Sequence, residues 1–175
     1  MGELREPFAS QDREQGGKGN PMADIDKEKV IVVLNRILEA ELAGVVRYTH
    51  YSFLGYGFSR IPIVSWLRDQ ATEALAHAHQ AGEWITTLGA YPSLAIGPLL
   101  DSHQHDIGAI LRESLEAEGE VLKLYRELLA LVKDRSVALE EYVRQMIYAE
   151  EVHAAEVDKM LRKPGELSAF APRAV

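Results

Sequence analysis

A duplicated motif restricts the folds open to this chain more than any other feature. Leu38-Glu39-Ala40-Glu41 is followed, seven residues after Glu41, by Tyr48, and the same pattern returns 77 residues downstream as Leu115-Glu116-Ala117-Glu118 with Tyr125. The offset also carries Glu73 onto Glu150. Each of these glutamates has a histidine close behind it, His77 at four residues and His153 at three. Repetition at a fixed offset implies two matched structural halves. Together they hold four glutamates and two histidines, which is a metal-site inventory.

Both halves carry the helical period. From Asp26 onward Val30, Leu34, Ile37, Glu41, Gly44, Tyr48, Tyr51 and Gly55 recur at alternating steps of four and three, one face of a first helix. Gly55 and Gly57 signal its end, and Ser59 and Pro62 suit the start of the next. The second helix runs from about Ile61 to Leu88 with Ile63, Trp66, Gln70, Glu73, His77, Gln80, Trp84 and Leu88 on its stripe, and Gly89 terminates it. A third is expected from about His105 to Lys133, with Ile107, Leu111, Leu115, Glu118, Leu122, Tyr125 and Leu129 inward. Asp134 or Ser136 caps a fourth, whose stripe is Leu139, Val143, Met146, Glu150, His153, Val157 and Met160 and which Pro164-Gly165 ends. No proline lies between Met22 and Ile61 or between Leu99 and Lys163, so nothing breaks helices of this length.

The short turn after Leu54 makes the first two helices antiparallel neighbours. The stretch from Ala90 to about Gln104, with Pro92 and Pro98, is too long for a hairpin and reads as a crossover. The expected fold is all-α, a four-helix bundle of two antiparallel hairpins joined by a long crossover. Residues 1–24, with Gly16, Gly17, Gly19 and Pro21, read as a flexible leader, residues 25–164 as the bundle, and residues 165–175 as a short tail.

Composition narrows the chemistry. At 175 residues the chain suits one domain with a substantial core. It contains no cysteine, which excludes disulfides, thiolate metal sites, iron–sulfur clusters and thiol catalysis. Any metal is therefore held by oxygen and imidazole nitrogen. The net charge of −8 argues against a nucleic-acid surface and favours cations. No apolar run suggests a membrane span or secretory signal, and a cytoplasmic address is the expectation.

A carboxylate on the apolar face of a helix is costly to bury unless it is paired, protonated or bound to a cation, and here every helix carries one. Glu41, Glu73, Glu118 and Glu150 meeting at one level with His77 and His153 would balance two divalent ions, each imidazole on one ion. The bland alternative is a structural set of glutamates and histidines paired with each other. His79 lies on another face, and Glu39, Glu116 and Glu151 read as solvated. Asp101, His103, His105 and Asp106 could hold a secondary ion, but capping of the third helix explains them equally well.

The chain resembles the bacterioferritins and their ferritin-like di-iron relatives. The resemblance rests on Leu34-Asn35, Glu41-Leu42 and Tyr48, on Glu118, and on Glu150-Glu151-Val152-His153, and covers roughly residues 26–163. It implies ferroxidase-centre ligands at Glu41, Glu73, Glu118, Glu150 and His153, a nearby functional tyrosine at Tyr48, and two iron ions per subunit, manganese or zinc being alternatives. The family pattern puts histidine three residues after the second-helix glutamate, where this chain has Ala76; His77, one residue later, stays on the same face. Haem is not expected, because Ala74 stands where the family's haem-ligating methionine follows that glutamate. The implied function is iron storage with oxidation of Fe(II) by O2 or peroxide in a homo-oligomer, a dimer or a larger shell, with no nucleic-acid or membrane partner. The alternatives are a non-storage di-iron oxidase or peroxidase, similar to rubrerythrins without the rubredoxin domain, and a metal-free helical interaction module.

Overall fold

Four α-helices, with no strand among the described residues 24–99 and 106–168, make up the computed structural model of the chain. Most of the leader, the crossover residues Asp101, His103 and His105, and the end of the tail lie outside the described residues. α1 spans Lys27–Leu54, α2 Arg60–Thr87, α3 Ile107–Val132 and α4 Val137–Leu161. Three of the four begin on a side-chain cap. Asp26 accepts from Lys29 N, Asp106 from Ala109 N and Ser136 from Leu139 N, each satisfying an amide that has no partner inside its helix. Capping is thus the role that the structure gives Asp106, and Ser136 rather than Asp134 opens α4. Asp134 instead turns the chain at a φ of 60°, its amide donating to Glu140.

Paired contacts fix the directions. Along α1 and α3, Arg36 meets Glu127, Glu41 meets Tyr125, Tyr48 meets Glu118 and Tyr51 meets Glu113, so one index rises as the other falls. Between α2 and α4, Trp84 lies against Tyr142, His77 against Glu150 and Trp66 against His153. The bundle is two antiparallel hairpins side by side. The crossover lies along α1, where Gly97 N donates to Glu39 O at 2.8 Å and Ser93 N to Asn35 Oδ1 at 2.7 Å.

The apolar interior comes in two blocks. The larger holds Leu34, Ile37, Ile85, Leu128, Leu139 and Val143; the smaller, toward the α1–α2 turn, holds Tyr48, Tyr51, Leu67 and Ile110. A polar layer lies between them, formed by Glu41, His77, Glu118 and Glu150, all buried.

The α1 stripe is buried at every expected position. On α2 the buried face is turned to Val64, Leu67, Gln70, Ala74, His77, Ala78, Ala81 and Ile85, leaving Glu73 and Gln80 exposed and Trp66 and Trp84 half-buried. Close helix approach is the reason: Ala74 Cβ lies 3.3 Å from where a Cβ on Gly44 of α1 would stand. Alanines therefore face the neighbour, and the bulky rings flank the contact. On α3, Ile110, Ser114, Val121, Leu128 and Val132 join Leu111, Glu118 and Tyr125 inside, while Ile107, Leu115, Leu122 and Leu129 are half-buried. That helix is apolar around more than one face, so periodicity alone misplaces its centre by a residue.

Candidate metal centre

Two groups of three donors meet in the polar layer. Glu41, His77 and Glu150 form one and Glu118, Glu150 and His153 the other, with the donor atoms of each group within 4.8 Å of one another. Glu150 belongs to both. His77 Nδ1 lies 2.9 Å from Glu150 Oε1 and 3.5 Å from Glu41 Oε1, while His153 Nδ1 lies 3.8 Å from Glu118 Oε1. The space these donors enclose is about 10 Å³ and is also lined by Tyr48, Gln70, Glu73 and Ala74.

The duplicated tyrosines are exchanged between the halves. The Tyr48 hydroxyl donates to Glu118, and the Tyr125 hydroxyl donates to Glu41 at 2.9 Å. Each repeat thereby orients the carboxylate of the other. Antiparallel packing of α1 on α3 brings this about, because seven residues are two helical turns and the two helices run opposite ways.

The electrostatics are those of a site short of positive charge. Burial pushes the Glu41 carboxyl above the usual carboxylate range despite His77, and burial together with the neighbouring Glu150 pushes Glu118 up to about 8. Desolvation alone would lower His77. The Glu150 and Glu41 carboxylates beside it prevail and raise it to about 10. Burial, then the neighbouring carboxylates, raises both Tyr48 and Tyr125, keeping their hydroxyls as donors.

Of the four carboxylates expected inward, three are buried. Glu73 is not: its side chain is 46% exposed, with Oε1 4.0 Å from His77 Nε2. The cause is the rotated face of α2, since the buried position one turn before His77 belongs to Ala74. Two residues not singled out from the sequence also border the site. Gln70 is buried in its wall, and the Trp66 ring lies 5.6 Å from the His153 ring. Both fell on the inward stripe of α2, and that was their only signal. His79 is exposed, as are Glu116 and Glu151, the latter paired with Arg126, and Glu39 is partly so.

The donor set suits a hard or borderline divalent ion, being oxygen and imidazole nitrogen only. One atom in particular lacks a partner: His153 Nε2 is buried without a hydrogen bond. A cation among these groups would relieve the crowded carboxylates.

The ferritin-like domain family matches this chain over residues 31–165. The chain belongs to the ferritin-like family. Among solved structures, the ferritin-like di-iron-carboxylate proteins of Bacillus anthracis str. Ames are similar at 25% identity and a TM-score of 0.73, over 78% of this chain and 98% of theirs. A Rhodobacter capsulatus bacterioferritin, solved with a metal-free dinuclear site and haem iron, is 25% identical with a TM-score of 0.68, over 77% of this chain and 84% of that one. A Desulfovibrio desulfuricans bacterioferritin with a di-iron site is 23% identical with a TM-score of 0.69, over 82% of each chain, and supports the fold. No curated protein matches significantly. The expected ferritin-like four-helix bundle is therefore the fold of this chain. The ferritin-like protein carries a carboxylate and histidine cluster able to hold metal. No helix among the described residues is long and apolar enough to cross a membrane.

Proposed function

We propose that this ferritin-like protein binds Fe(II) as substrate among Glu41, His77, Glu118, Glu150 and His153, with Glu73 at the margin, and oxidises it to Fe(III). The observation that carries the reading is the pair of buried donor triads sharing Glu150. A shared carboxylate keeps two ions close enough to give up their electrons together. With O2, two Fe(II) supply two electrons, and uptake of two protons yields hydrogen peroxide and two Fe(III). With peroxide, the same two electrons and two protons yield two waters.

The chain's own residues bind, orient and move protons. Tyr48 and Tyr125 hold Glu118 and Glu41 in place from the opposite repeat. Arrival of a cation displaces the proton that His77 shares with Glu41 and Glu150, since a ligating imidazole nitrogen must be unprotonated. Trp66 and Tyr48 pack on His153 and shield it from solvent. Iron, rather than the alternatives manganese and zinc, is favoured by the resemblance to the di-iron-carboxylate proteins and bacterioferritins.

Storage is the second part of the proposal and demands assembly. A space of about 10 Å³ has no room for mineral, so stored Fe(III) requires a hollow homo-oligomer, placed by this reading in the cytoplasm. The test is stepwise aerobic addition of Fe(II), following ferric absorbance and iron retained per chain. Uptake far beyond the two-ion capacity of the site supports storage. Saturation at the site's own capacity keeps the oxidation chemistry and replaces storage by an oxidase or peroxidase role. No retention overturns the proposal in favour of a metal-free helical module.

A further inference from the structure

The two histidines of the centre are held in different ways. His77 has a carboxylate near each nitrogen: Nδ1 lies 2.9 Å from Glu150 Oε1 and 3.5 Å from Glu41 Oε1, and Nε2 lies 4.0 Å from Glu73 Oε1. His153 turns one nitrogen to the site, Nδ1 standing 3.8 Å from Glu118 Oε1. Its other nitrogen, Nε2, is buried with no hydrogen-bond partner among the described residues. A ligating imidazole usually donates its second N–H to a carboxylate, a backbone carbonyl or a water, and that bond fixes the orientation of the ring. Here no such bond is made.

Aromatic rings surround His153 instead. Trp66 lies 5.6 Å from it at 52° and Tyr48 6.2 Å from it at 48°, while Trp66 meets Tyr48 edge-on at 6.2 Å and 88°. At these separations tilted and edge-to-face ring pairs attract each other. Tyr48 is already tied by its hydroxyl to Glu118, so Trp66 is the member of the cluster whose contribution is packing. It comes from α2, the helix that gives the Glu118–Glu150–His153 triad no donor. The duplication does not supply it either, since Val143 stands 77 residues further on, within the larger apolar block.

We infer that Trp66 is the positioning residue for His153: its indole ring keeps Nδ1 aimed at Glu118 and Glu150, the task that a hydrogen-bond acceptor on Nε2 would otherwise perform. Rotation of the imidazole would carry Nδ1 away from those carboxylates, and with Nε2 unbonded it is packing that resists the rotation. This inference rests on the metal-centre reading above and names the side chain on which one of its ligands depends.

The test is calorimetric titration of the full chain with Zn(II), which takes the same donor types and has no redox chemistry, together with a melting curve of each metal-free variant. Trp66→Leu, apolar but without a ring, should weaken Zn(II) binding ~10-fold or more, the scale of losing an outer-shell partner of a metal ligand. Trp66→Phe keeps a ring against His153 and should restore most of that affinity. In a His153→Ala chain, which retains Glu41, His77 and Glu150, Trp66→Leu should change the affinity by less than ~2-fold, because a residue that acts through His153 has nothing left to act on. Trp66 is half-buried, so the melting curves should show folded variants, and Trp66→Met supplies a second ringless chain for the same comparison. Zn(II) binding by the ringless variants equal to the parent's, equal losses in Trp66→Leu and Trp66→Phe, or a loss that persists in full without His153 overturns the inference and leaves the metal centre intact. Absence of any Zn(II) binding by the unmodified chain overturns the metal-centre reading together with it.

Discussion

The first and second halves of this chain carry one motif at one offset, yet they build unlike sides of one site. Glu41 and Glu118 occupy equivalent buried positions, and each accepts the hydroxyl of the other half's tyrosine. Glu73 and Glu150 do not correspond in space. Glu150 is buried and shared by both donor triads, whereas Glu73 is half exposed. One residue of spacing separates them. At about 100° per residue, a histidine three residues on lies about 60° to one side of its glutamate, and one four residues on lies about 40° to the other. With His77 and His153 both turned inward, the two glutamates lean in opposite directions, and on α2 that direction is toward solvent.

The largest effect expected from breaking this comparison is at Glu150. Glu150→Ala removes the carboxylate common to both donor triads, and on the proposed function Fe(II) oxidation followed by ferric absorbance should fall by more than the ~10–100-fold typical of losing an outer-shell partner. Normal oxidation by a folded variant would remove Glu150 from the site. The tyrosine exchange comes next. Tyr48→Phe and Tyr125→Phe each remove the hydroxyl donor from one buried carboxylate, and each should weaken metal binding ~10–100-fold. Calorimetry would show whether Tyr48→Phe acts on the Glu118 half and Tyr125→Phe on the Glu41 half; identical binding curves for the two would dissolve the crossed arrangement.

A subtler probe is pH. Glu118 is raised to about 8 and His77 to about 10, above unfolded values of roughly 4.3 and 6.5. In both cases the folded chain keeps its proton to higher pH than the unfolded chain, so stability falls as pH rises through these windows. Thermal melts of the metal-free protein should therefore show a Tm that declines from pH 5 to pH 10. Glu118→Gln, confined to one half, should make the decline shallower up to about pH 8 and spare the part due to His77, which sets in above roughly pH 6.5. An unchanged profile in that variant would reject the assignment. Zn(II) should restore Tm most at the alkaline end, because its ligands must be deprotonated.

The smallest expected effect tests a feature that belongs to α1 alone. A Cβ on Gly97 would stand 2.9 Å from the Glu39 carbonyl oxygen. Gly97→Ala should thus push the crossover off α1 at a cost on the order of 1 kcal/mol, seen as a Tm loss of ~2–4 °C with metal binding intact. A variant as stable as the parent would show that this clamp contributes little.

Much of this was legible in the residues. The steps of four and three from Val30 to Gly55 placed every buried residue of that stripe on α1, because a strongly patterned helix with one apolar face has one way to lie. The cap at Ser136, one of two residues offered there, and the terminating Gly89 were likewise readable, being local chemistry. The faces of α2 and α3 were not. On α2 the large rings of Trp66 and Trp84 outweigh alanines in any hydrophobic count, yet the alanines are buried, since Ala74 must fit against Gly44.

By itself the sequence determined the four helices, their pairing into hairpins and the residue types gathered at one level, because period, proline placement and turn chemistry are properties of the chain alone. Which carboxylates lie inside, that each tyrosine serves the opposite repeat, and that His77 is engaged while His153 is left open were decided only by tertiary structure. Those outcomes depend on how closely two helices approach and on which way each is rotated, and these are set by the neighbour's side chains.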